Sequence, residues 1–343
     1  FLINFCINVK GDTIEVSQGE SIQDAIDSAN EGDIISIASG TYNENIQITK
    51  DLTIIGNSKD NTVIDGDGNS HVIKILGERF YEIEVHISKL TIKNAEGTGN
   101  DCIAISYVNN GSIENNIIKN SENGDGIGID HSTGLSINGN TITNNVNSAG
   151  ISLTVDSEEN EIYSNTIQSN KDGVYIYWSS NNNLIHDNTI SGNNQYGIHI
   201  ASQTLSTGNT FYRNDIKSNS QNAIDPHTNN WDYNSEGNYW GDYDGVDENP
   251  ENNIGDTPYS IPGGTNKDNY PLGYFSTTQQ PIAYITSITP NPATEGESIQ
   301  FSGTGAPSGE ISEVEWKIDG NIISNSEEFS YSSLSEGTYT VKF

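Results

Sequence analysis

From about residue 100 to residue 220 the chain alternates short apolar runs with polar turns, and the alternation repeats. Asn-x-Ile recurs at Asn116, Asn140, Asn165, Asn188 and Asn214, in steps of 24, 25, 23 and 26. Gly-apolar-x-apolar starts at Gly126, Gly150, Gly173 and Gly197, in steps of 24, 23 and 24. A third apolar run follows near Ile137, Ile162, Ile185 and Phe211. Period-two alternation predicts strands, and the Asn, Gly and Ser residues between them predict turns. Three short strands in two dozen residues enclose no core of their own. Stacked repeats bury their apolar positions against one another, so the pattern predicts an all-β solenoid of three parallel sheets.

The N-terminal part fits the same plan. Ser21-Ile22-Gln23-Asp24 is a helix start, and Ile22, Ala25, Ile26 and Ala29 fall on one helical face. Such a helix would cover the first strand, otherwise an exposed edge. Strand-like runs follow at 34–37, 46–48, 52–55, 63–64 and 72–75, with an insertion around 78–85. Asn is abundant, 46 residues in all and 29 of them between 101 and 250. It tolerates left-handed turns, and stacked identical turns predict Asn ladders, so most of these residues read as structural.

Charge removes whole classes of function. Fourteen Lys and Arg face 47 Asp and Glu among 343 residues, a formal charge of −33. A phosphate backbone would be repelled, so no nucleic-acid partner is expected. No run of eighteen apolar residues is present, so no membrane span is expected in this fragment. Cys6 and Cys102 form neither a disulfide framework nor a metal motif. Residues 1–10 read as the remnant of a signal peptide or as a buried first strand.

Two stretches carry a resemblance. GESIQDAIDSANEGDIISIASGTYNENIQITKDLTIIG, with the repeats above, resembles the right-handed parallel β-helix proteins of the pectin-lyase-like class. GNYWGDYDG at 237–245 and IGDTPYSIPGGTNKDNYPL at 254–272 resemble the NosD-like family. The resemblance implies a parallel β-helix over 11–275 and an extracellular or cell-surface location. A polar linker at 276–281 leads to residues 282–343, whose alternation predicts a small β-sandwich. It resembles a PKD domain, here truncated, which implies contact with other surface domains.

Candidate chemistry follows from stacking, because equivalent residues in successive coils lie about 4.8 Å apart. One outward column then reads Gly128, Ser152, Tyr175, His199, Asp225, taking the last step as 26 residues. Its neighbour reads Asp130, Thr154, Tyr177, Ala201, His227, with Trp178 and Tyr196 at the rim. Tyr175, Tyr177, Trp178 and Tyr196 are candidate carbohydrate-binding residues, since exposed rings stack on sugars. Asp225, His227, His199 and Tyr175 are candidate catalytic residues. Asp225-Pro226-His227 resembles the Asp-Pro-His of mannuronan C5-epimerases, which implies proton transfer at a uronic acid. Asp125, Asp130 and Asp172 suggest a glycosidase, but Asp125 and Asp172 precede Gly and read as ordinary turn residues.

Two metals arise. The NosD resemblance implies copper, yet the chain has no Met and scattered Cys and His, so copper is not expected. Asp242, Asp244, Asp247 and Asp256, with Glu248 and Asn252, supply oxygen ligands of the kind calcium takes; an acidic solvated loop explains them equally well. The expected function is binding or organising a polysaccharide or cell-envelope glycan. A polysaccharide lyase or C5-epimerase and a purely structural surface-layer component are the alternatives.

Overall fold

Three-residue strands such as Ser136–Asn138 and Thr141–Thr143 are too short to stand alone, and each finds its partners one coil before and one coil after. The computed structural model describes residues 11–273 apart from 67–69, 81–82, 204 and 249–251, together with 282–289, 298–306, 315–318, 321–324, 326, 328–332 and 341–342. Residues 1–10, Cys6 among them, and the linker at 276–281 lie outside the described residues.

Three parallel sheets form a β-helix. Sheet I has nine strands, from Thr13–Val16 to Thr210–Tyr212. Sheet II has nine, from Gly40–Asn43 to Tyr239–Trp240, and sheet III has eight, from Ile46–Ile48 to Gln221–Ile224. Each residue pairs with its equivalent in the next coil: Ile137 with Ile162, Ile162 with Ile185, Ile185 with Phe211. The inward columns are continuous and dry, with Ile103, Ile127, Ile151, Val174 and Ile198 all fully buried. β-Branched side chains suit this stack, because identical rotamers interlock from coil to coil.

The helix Ile22–Ser28 packs on strands Asp33–Ile37 and Ile46–Ile48 at the N-terminal end. Its end groups are met by the solenoid itself. Glu44 accepts from the backbone N–H of Ile22 and Gln23 at 2.8 and 3.2 Å, and Lys50 Nζ donates to the Ala29 carbonyl at 2.8 Å.

Each of the three corners carries a buried Asn ladder. Between sheets I and II it runs through Asn116, Asn140, Asn165, Asn188, Asn214 and Asn238. Between sheets II and III it runs through Asn145, Asn170, Asn193 and Asn219. Between sheet III and the next coil's sheet I it runs through Asn160, Asn183, Asn209 and Asn229. In every step the later Oδ1 accepts from both the backbone N–H and the Nδ2 of the earlier Asn, as Asn165 does from Asn140 at 3.0 and 3.0 Å. The side-chain amides therefore all point the same way, with their donors toward the C-terminal end.

All three ladders end on a carboxylate. Asn238 donates to Asp268 (2.7 Å from its backbone N–H), and Asn229 Nδ2 donates to both oxygens of Asp225 (3.1 and 3.2 Å). Asn219 reaches Asp242 through Asn222, by bonds of 3.2 and 2.7 Å. A negative, acceptor-only group is the natural partner for a row of aligned dipoles that presents its donors, as at a helix N-terminus.

Close passage at the second corner explains the repeated glycine. A Cβ on Gly173 would lie 2.4 Å from the Gly197 carbonyl oxygen and 2.6 Å from an Ile190 methyl. Gly173→Ala is expected to cost about 3 kcal/mol through this overlap. Gly192, at φ +62° with open space where its Cβ would sit, is expected to cost about 1 kcal/mol as Ala. Urea unfolding of the two variants checks the difference.

Residues 275–343 form a second compact unit. Strands Ile282–Thr289, Ile299–Ala306 and Glu328–Tyr331 make one antiparallel sheet. Trp316–Ile318, Asn321–Ser324 and Val341–Lys342 make another, and Phe301 and Trp316 are buried in the unit's small core.

Candidate functional site

Sheet III carries the outward residues of interest. Its pairings align Lys74, Ala104, Gly128, Ser152, Tyr175 and His199 in one column. Tyr175 and Tyr177 stack at 5.8 Å between ring centroids, Tyr175 meets His199 at 4.9 Å, and Tyr196 meets His199 at 4.4 Å. Trp178 extends the row from Tyr177 at 5.5 Å and is 52 % exposed. The five rings expected from the sequence thus form one contiguous patch. Trp178 sits at φ +55°, but Tyr107, His131 and Val155 take left-handed angles at the same corner of earlier coils, so the turn sets that angle.

The expected register of the last coil is wrong by one residue. Ala223 pairs with Ile198 and Ile224 with His199, a step of 25 where 26 was expected. A slip of one residue exchanges the faces of a strand, and Asp225 lies beyond the strand's end, fully buried. Its carboxylate accepts from Trp231 Nε1 at 2.8 Å, Asn266 Nδ2 at 2.7 Å and the backbone N–H of His227 at 2.9 Å, besides ending an Asn ladder. Burial pushes this carboxyl above its ordinary value against those bonds. His227 is tied by Nε2 to the Ala201 carbonyl at 2.9 Å. The expected Asp225–His199 pair is not formed, and Asp225 is walled off from any ligand on sheet III.

The carboxylate that does hold His199 is Asp172, one coil earlier, at 3.0 Å from Nδ1. It belongs to a recurring device that sequence reasoning set aside as turn chemistry. Asp101 and Asp125 stand just ahead of a sheet III strand, and Asp172 opens the strand Asp172–Ile176. Each accepts the backbone N–H of the equivalent residue one coil on: Asp125 at 2.7 Å, Ala149 at 2.8 Å and Tyr196 at 3.1 Å. The second oxygen reaches the outward residue three positions further. Asp172 meets His199, Asp125 accepts from Ser152 Oγ at 2.5 Å, and Asp101 fills the space that a Gly128 side chain would take. Counting 27 residues forward from each Asp, instead of along one column, is the signal that would have found the pair.

Electrostatics on this face are those of neutral or acceptor groups. Burial pushes the Asp101 carboxyl well above the ordinary range, and the Asp125 charge adds to the push. Burial raises Asp125 too, against hydrogen bonds from Ser148 and Ser152. Burial, then Tyr177, Asp172 and Asp125, raise the Tyr175 phenol, which stays a hydrogen-bond donor.

The four candidate calcium ligands are not drawn together. Asp242 accepts from Asn222 and from Tyr259 Oη, Asp247 from the N–H groups of Asn252 and Asn253, and Asp256 from that of Glu248. Among the described residues no group of three or more His, Cys, Asp and Glu is placed to hold a metal ion, Asp244 included.

The profile of the family described as "Periplasmic copper-binding protein (NosD)" matches residues 7–245. The chain belongs to the NosD family. Among curated proteins none matches this NosD chain in sequence. Among solved structures it is similar to ORF18 of Geobacillus virus E2, at 14% identity and a TM-score of 0.47 over 94% of this chain and 74% of that one. It is similar to pectate lyase Pel9A, at 14% identity and a TM-score of 0.43 over 68% and 75%. The Azotobacter vinelandii mannuronan C-5 epimerase AlgE6 A-module follows at 17% and 0.39 over 60% and 73%. The family match ends at residue 245, so the PKD resemblance of the second unit rests on sequence alone.

The family description names copper, and the donors of this NosD chain do not fit it. There is no Met anywhere in the sequence. The Cys102 thiol is buried, donates to the Lys119 carbonyl at 3.3 Å and is pushed up to about 12 by that burial. His86, His186 and His199 are bonded to side chains of their own or an adjacent coil, and His227 to a backbone carbonyl. Soft or imidazole ligands do not converge among the described residues.

Proposed function

We propose that this NosD chain is an extracellular or cell-envelope protein that recognises carbohydrate on the outward face of sheet III. The contiguous patch of Trp178, Tyr177, Tyr175, His199 and Tyr196 carries the reading. On sheet I, Tyr163, His186 and Tyr212 lie within 3° and 16° of parallel, so each covers its neighbour's face. On sheet III, Tyr175 and Tyr177 stack at 16°, but His199 is tilted by 58° and 45° to Tyr175 and Tyr196, and Trp178 by 54° to Tyr177. Tilted rings leave π-faces open to the C–H groups of a sugar. The family's description as periplasmic supports the envelope location.

For the lyase or epimerase alternative, Asp225 is buried and His227 is tied to the backbone, while His199, held by Asp172, and Tyr175 stay on the outward face. Proton NMR of a glycan panel with the full chain tests the recognition reading. Resonances of at least one glycan should broaden, and Tyr175→Ala should weaken that binding at least about tenfold, the loss expected for one buried stacking ring. Equal broadening with the wild type and Tyr175→Ala would place the binding elsewhere and sink the proposal.

A further inference from the structure

We infer that the ligand of sheet III is an uncharged, unbranched glycan lying along the solenoid axis, from the aromatic patch toward Lys74. This rests on the recognition reading and names its ligand class. Three observations carry it.

Relief comes first. Along the outward column the side chains fall from His199 and Tyr175 to Ser152, Gly128 (where the Asp101 carboxylate lies at the level of the missing Cβ) and Ala104, then rise again at Lys74. Six strands, five steps of about 4.8 Å each, therefore frame a trough with a floor three coils wide. One coil is close to the length of one pyranose, so a chain laid along the axis puts one sugar on each coil. A chain laid across the sheet would leave the trough within a single residue.

The lining is the second observation. Asp101 and Asp125 lie beside the Ala104 and Gly128 coils on one side of the floor, and Ser106, Asp130 and Thr154 form the parallel outward column on the other. The Asp130 carboxylate and the Ser106 and Thr154 hydroxyls, half-buried at this spacing, face the position of sugar hydroxyls, the polar contacts that orient a ligand already held by apolar stacking.

Charge is the third. A polyuronate carries one carboxylate per residue and would need a cation on each coil. Among the described residues of this face the basic side chains already face acids: His199 meets Asp172 at 3.0 Å, His131 meets Asp130 at 3.0 Å, and His71 lies 3.6 Å from Asp101. Lys74 stands at the far end, beyond the floor. With −33 overall, the field repels a polyanion approaching from any direction.

The test uses the full chain, Tyr and Trp fluorescence as readout, neutral β-1,4-linked gluco-, manno- and xylo-oligosaccharides, and galacturonate and mannuronate oligomers of matched length. At least one neutral series should bind, with affinity rising to about five residues, two on the aromatic coils and three on the floor, and then levelling. Uronate oligomers should bind about tenfold more weakly or worse, and Asp130→Asn should narrow that gap. Ala104→Phe, which fills one coil of the floor, should abolish the gain with length. Uronates binding as tightly as neutral chains, or affinity independent of length in the wild type, would overturn this inference and leave the recognition reading standing if Tyr175→Ala still weakens binding. Failure of every oligosaccharide of either class to bind would overturn the recognition reading itself.

Discussion

Asn165→Ala is expected to lower stability by about 5 kcal/mol, because it orphans several buried groups at once. The Asn165 Oδ1 is the acceptor for the backbone N–H and the Nδ2 of Asn140, and its Nδ2 donates to the Ile137 carbonyl and to Asn188 Oδ1. Neither Asn140 nor Asn188 has water to turn to, each being 1 % exposed. Alanine therefore leaves donors and acceptors unmet on both sides of one corner. Asn147→Ala, at an exposed turn of the neighbouring corner, is expected to change stability by less than about 0.5 kcal/mol. Urea unfolding of both variants checks the contrast. Equal small losses would mean that the ladder contributes geometry and no net stability.

Asp225→Ala is expected to cost about 4 kcal/mol and to leave glycan binding on sheet III intact. Trp231 Nε1 and the His227 N–H lose their acceptor, and Asn229 Nδ2 and Asn266 Nδ2 each lose one of two. A catalytic Asp225 would give the opposite result, with stability retained and function lost. The pH dependence has a definite sign. Burial raises the folded-state carboxyls of Asp225 and, to about 6, of Asp268. The native state then binds more protons than the unfolded one above the ordinary carboxylate range, so stability falls as pH rises from there through about 6. Asp225→Ala should show a shallower fall, measured as Tm between about pH 4 and 7.

What could be read from the sequence follows the translational repeat. The steps between Asn-x-Ile motifs placed Ile137, Ile162 and Ile185 in one buried column and predicted the Asn ladders, because a parallel stack turns periodicity directly into contact. The aromatic patch was readable for the same reason, since Tyr175 and His199 belong to regular coils. Reading failed where the repeat stops. The step into the last coil depends on a loop from residues 261–266, whose Pro262 carbonyl accepts from the Asp225 N–H at 2.8 Å, and nothing periodic announces that loop. Asp172 was missed for another reason: its bond to His199 crosses between columns, and a search along columns never pairs them. Asp268 lies 30 residues beyond the Asn238 it serves, outside every repeat.

The carboxylate at the foot of each ladder also bears on the size of the molecule. An amide both accepts and donates, so an Asn at a corner hands the bond on to whichever coil comes next. A carboxylate only accepts, and the relay stops there. Nothing in an interior coil refers to its ordinal position, whereas Asp225, Asp242 and Asp268 act as punctuation. The solenoid is in this sense a sentence whose length is written only at its close: whole coils of about two dozen residues can be inserted or removed between the ends while each corner keeps its grammar, and the reach of the sheet III face lengthens or shortens by one strand spacing each time.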